Sequence, residues 1–143
     1  MAVAYENVIK DIQTYLVANI GSIISGGTVA NIDFNEGVDF DWNAYTQWIQ
    51  PYVSMPAVSQ TELTGSISGH TIFGSLRINY FETNGNNIKG LAVASKIGAL
   101  FNAKSLTNNA TIYYGIGEII TNTKDETTKQ FLTSWNVEFE AKT

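Results

Sequence analysis

Tyr5, Val8, Ile9, Ile12, Leu16, Ile20 and Ile23 recur at three- and four-residue steps, with Glu6, Lys10, Asp11 and Gln13 opposite them. That period predicts an amphipathic helix, loosening between Gly21 and Gly26 and followed by a loop, SGGTVAN. TQWIQPYVSMPAV, residues 46–58, is rich in β-formers, but Pro51 and Pro56 cannot donate to a ladder, so an edge strand or arm is expected. HTIFGSLRINYFE predicts a strand with Leu76, Ile78 and Tyr80 on one face and Arg77 and Asn79 on the other. After the turn TNGNN, the stretch IKGLAVASKIGALFNAK predicts a second helix with Val93, Ile97, Leu100 and Phe101 as its stripe. TIYYGIGEIIT is a further strand, its glycines allowing close packing or a bulge. In the last strand Phe131, Trp135, Val137 and Phe139 alternate with Leu132, Ser134, Asn136, Glu138 and Glu140. The expected fold is therefore α+β: a mixed or antiparallel sheet with two amphipathic helices packed on one face, in a single domain over residues 1–143.

Charge adds an asymmetry to that outline. The formal net charge is −5, from 13 acidic and 8 basic residues. Through Thr71 seven acids face Lys10 alone; from Ile72 onward six acids face seven bases. A basic stripe able to displace counterions from a nucleic acid is missing, the nearest thing to one being Lys89, Lys96 and Lys104 in the neutral half. The absence of cysteine removes disulfides, zinc–thiolate sites and thiol nucleophiles. The charged N-terminal helix is not a signal peptide, and no run is long enough to cross a bilayer. A soluble protein made inside the cell is expected.

Candidate chemistry is sparse. His70, the lone histidine, adjoins Gly69 in an expected turn and has no specified nucleophile or orienting partner. GSISG at 65–69 carries Ile67 where a nucleophile elbow needs serine. GNNIKGL at 85–91 has Leu91 where a phosphate loop needs lysine, and GIGEII at 115–120 lacks the third glycine of a dinucleotide fingerprint. Asn109-Ala110-Thr111 is a glycosylation sequon, relevant only to a secreted protein. NIDFNEGVDFDW, residues 31–42, has the alternating acids of a calcium loop. Its sixth position from Asp33 is Val38 and its twelfth is Ala44, so both the glycine and the closing glutamate are displaced or missing. The alternative is an extended segment burying Ile32, Phe34, Val38, Phe40 and Trp42 and showing acids on its other face, with Gly37 breaking register. No metal, cofactor or catalytic residue is expected.

Taken in order, several segments resemble the tail terminator (tail-completion) proteins of long-tailed bacteriophages. They are the amphipathic N-terminal helix, DFNEGVDFDW, WIQPYVSMPA, SGHTIFGSLRINYF, the turn TNGNN, LAVASKIGALF and the closing SWNVEFEAK. The resemblance covers most of the chain. One departure is Gln50, two places after the strand tryptophan, where relatives often carry arginine. It implies a structural virion protein, not an enzyme, that forms a homo-oligomeric, typically hexameric ring. Such a ring caps the tail tube, stops its elongation and presents a surface to the head-completion protein. The implied location is the virion tail, with assembly in the host cytoplasm and no membrane partner. DNA would pass through without specific binding, a use for acids that repel phosphates. Asp33, Glu36, Asp39 and Asp41 become candidates for the lumen or a subunit interface, or for a plain solvated face. Trp42, Tyr45 and Tyr52 become candidate interface aromatics, whereas Trp48 is expected in the core. The alternatives are another ring-forming head–tail connector or tail-tube protein, or a small α+β ligand-binding domain or enzyme.

Overall fold

A computed structural model describes residues 5–34, 40–60 and 70–142 of the chain, with side chains described at all of these except 56–60 and 70. Helix α1 spans Tyr5–Ile23 and α2 spans Asn87–Phe101; the strands are β1 Gln47–Gln60, β2 His70–Glu82, β3 Ser105–Thr107, β4 Thr111–Tyr114, β5 Glu118–Lys124 and β6 Phe131–Lys142. Every strand pairing is antiparallel, in the order β1-β2-β6-β4-β3, with β5 also on β6. β4 and β5 thus lie end to end along one side of β6, parted at Gly115, Ile116 and Gly117. The single strand expected over TIYYGIGEIIT is therefore two. A β-carbon at Gly117 would collide with the Trp135 ring, so the break lets the backbone pass close over that indole.

The two helices cover one face. Val8, Ile12, Leu16, Ile20 and Ile23 of α1 and Val93, Ala94, Ile97 and Phe101 of α2 join a single buried cluster with alternate strand residues. Those strand residues are Ile49, Ile72, Leu76, Ile78, Tyr80, Ile112, Tyr114, Trp135, Val137, Phe139 and Ala141. Cross-strand pairs such as Ile72–Ala141, Leu76–Val137 and Ile78–Trp135 hold this face in register, as the period-two pattern requires. Phe101 lies at its centre, 5.0 Å from Tyr114 and 5.8 Å from Trp135, ring to ring.

The tryptophan-bearing segment is an edge strand, as its prolines predict. β1 pairs only with β2 among the named strands, and its register slips between Ser54 and Ala57, where Met55 and Pro56 stand. Helix α2 starts at Asn86, whose side chain accepts from the Lys89 amide at 3.0 Å. It stops at Phe101, three residues before the expected end, because Ala103 takes a left-handed φ of 55°. His70 opens β2 opposite Gln60, and is not in a turn.

Asp11 departs from the simple helical-wheel reading. It is 8% exposed, not on the solvated face, and accepts from the backbone amides of Asn109 (3.2 Å) and Ala110 (2.9 Å) and from Asn109 Nδ2 (2.9 Å). The tight β3–β4 turn leaves these donors pointing at α1, and a carboxylate satisfies them. The sequon asparagine is engaged by the same carboxylate.

Candidate interaction surface

The acidic stretch divides around β1. Ile32 is buried and forms a parallel bridge with Ile49, and Phe34 packs against the helix-side core. Asp33 between them turns outward: its amide donates to the Ile49 carbonyl at 2.9 Å and its carboxylate accepts from Gln50 Nε2 at 3.1 Å. Gln50 is thus already engaged with an acid.

Phe40 sits on the opposite side of the sheet, 4.9 Å from Trp48 and 5.4 Å from Tyr45. Trp48 lies flat on Phe81, its cross-strand partner, at 4.1 Å and 8°. The expectation of an extended segment burying a single face is corrected here, since Trp42–Ala44 is a 3-10 turn and the apolar residues of the stretch serve both faces of β1. The physical reason is that the back face at this end carries Trp48 and Phe81, and Phe40 covers them. Asp41 is exposed and makes no side-chain cap to the turn. Glu36 and Asp39, with Val38 and Gly37, lie outside the described residues.

Among the expected interface aromatics, Tyr52 is 41% exposed on β1, Trp42 is half-buried, and Tyr45 is half-buried against Phe40. Trp48 is 3% exposed, as expected of a core residue. Its Nε1 donates to Gln130 Oε1 at 2.8 Å, and Gln130 Nε2 donates to Thr83 Oγ1 and to the Tyr45 carbonyl. Gln130 thereby fastens the Tyr45 turn, the β1 end and the β2–α2 connection with one amide. Its polarity and position in a turn gave no hint of this.

Beside this plug, on the helix-side face, the Tyr80 hydroxyl donates to Glu82 Oε1 at 2.5 Å, Gln47 Nε2 donates to both, and Lys89 stands 3.7 Å from Glu82. Burial, then the hydrogen bond to Glu82, raises the Tyr80 phenol far above its usual range. The group closes the end of the sheet and ties α2 to β2. Among the described residues no group of three or more His, Cys, Asp or Glu side chains is placed to hold a metal ion, and no helix is long and apolar enough to cross a membrane.

A further surface was not anticipated from the sequence. Ile116, Ile119 and Ile120 are 72%, 40% and 46% exposed along and just before β5. Ile88 and Leu91 are also exposed, one helical stripe with Ser95 and Gly98 of α2, which line a groove together with Gly117, Glu118, Ile119 and Trp135. Five large apolar side chains on α2 and in or next to β5 are thus exposed. Their signal in the sequence was GIGEII, whose isoleucines fit a buried strand equally well. Neither the family models nor the curated proteins compared with this chain match it.

Proposed function

We propose that this chain is a ring-forming tail terminator: a structural, non-enzymatic virion protein that caps the phage tail tube, stops its growth and offers a surface to the head-completion protein. The observation that supports it most is the exposed isoleucine edge at β5 beside the open stripe of α2, which a lone chain leaves in water and an assembly would bury. The order of helix, tryptophan edge strand, central strand, alanine-rich helix and closing strand agrees with the resemblance. In this reading Asp33, Glu36, Asp39 and Asp41 line the DNA passage or a subunit boundary, and Trp42, Tyr45 and Tyr52 lie at that boundary.

Adding the protein to polymerising tail-tube subunits should shorten the tubes in proportion to its concentration, seen by electron microscopy. Unchanged tube lengths at every ratio would remove the terminator reading. Lysine at both Asp33 and Asp41 should leave the fold intact, since Asp41 is exposed and Asp33 turns away from the core, and should make the assembly retain DNA in a salt-sensitive way. Shortening that survives with no gain in DNA retention would remove the passage role for these acids and leave the cap.

A further inference from the structure

The free edges of the sheet differ in how they are protected. β1 is blunted, because Ile32 pairs beside Ile49 and Pro51 and Pro56 present no N–H. β3 is only three residues long. β5 pairs with β6 on one side and, among the described residues, with nothing on the other. It keeps seven residues, three exposed isoleucines in or next to it, and the α2 stripe alongside. Such an edge is a template for another chain.

A counterpart lies across the molecule. Between α1 and β1 runs a groove of about 180 Å³, lined by Ile9, Ile12, Leu16, Phe34, Pro51 and Val53, with Gln13 as its polar side chain. Its lining is mostly apolar, and so are the exposed isoleucines in and next to β5. Charge is segregated along the same axis. The β5–α2 side carries Lys89, Lys96 and Lys124 against Glu118. The α1–β1 side carries Glu6, Asp33 and Asp41 against Lys10, and Glu36 and Asp39 follow Asp33 in the sequence. A two-fold contact through β5 would bring the lysine-rich sides together, whereas a heterologous contact brings opposite charges together.

We infer that copies of this chain associate head to tail, the β5–α2 edge of one seating Ile116 and Ile120 in the α1–β1 groove of the next. The inference deepens the ring reading and rests on it for closure of the assembly; the contact itself is tested separately.

Ile116→Lys/Ile120→Lys removes the donor edge, and either Ile9→Arg or Val53→Arg removes the groove. Circular dichroism and thermal melting check the fold, and the exposure of Ile116 and the partial exposure of Ile9 and Val53 keep at least one variant of each kind foldable. Sedimentation should show the wild type as a multimer, alone or on tail tubes, and each variant about tenfold or more weaker in association. Mixing a donor-edge variant with a groove variant should restore one contact and give a dimer that grows no further. A donor-edge variant that assembles like the wild type overturns the inference, and if it still shortens tubes the terminator reading stands with a different contact. Groove variants that assemble normally while donor-edge variants do not would mean two-fold β5 pairing, which also overturns it. A wild type that is monomeric alone and on tubes overturns both.

Discussion

Trp135→Ala should lower the stability of the folded chain by about 3–5 kcal/mol, measured by denaturant unfolding. The indole is 3% exposed, lies opposite Ile78 on β2 and Ile119 on β5, and meets Phe101 from α2. Truncation removes the transfer energy of the largest side chain of β6 and leaves a void whose walls are fixed by two strands and a helix. Gly117 cannot advance into that space without pulling β4 and β5 off β6, so collapse of the cavity is limited. Glu138→Lys, three residues along on the solvated face, should change stability by less than about 0.5 kcal/mol. Equal losses at the two positions would mean that the facing of β6 is wrong.

Asp11→Ala should cost about 3 kcal/mol, far more than an exposed helix carboxylate, because it strands the Ala110 amide in a buried site and leaves the two Asn109 donors without their acceptor. Asp11→Asn should fall between, since its carbonyl oxygen can still accept while its NH₂ faces other donors. Hydrogen exchange at Ala110 should speed up in both variants. A loss below about 1 kcal/mol for alanine would show that water replaces the carboxylate without cost.

The two helices, β2 and β6 were legible because hydrophobic period and geometry agree over ten or more residues, and β1 because its residues are β-formers. The edge position of β1 followed from Pro51 and Pro56 alone. β3 was invisible: three residues, Ser105–Thr107, carry no period. The split between β4 and β5 was half visible, since the glycines announced a bulge but not that Trp135 would occupy the space beneath Gly117. Asp11 was misread because a helical wheel sorts residues by polarity, and a carboxylate facing donors from residues 109–110 is a long-range fact. The interaction surface was the least legible part. An isoleucine on an edge strand and one in a core strand look the same in a sequence, and only the pairing order tells them apart.

That order also has a consequence for how the protein is made. β6, which separates β2 from β4 and β5, is the last of these strands to leave the ribosome. Until Phe131 and its successors emerge, the nascent chain holds a β1–β2 hairpin with one unfilled side and a short β3–β4 hairpin, and β5 has no partner along its length. Sheet closure is therefore a late insertion of one strand between neighbours made before it. The isoleucines near β5 spend that interval exposed on both flanks of their strand, which makes this stretch the natural first target of a chaperone.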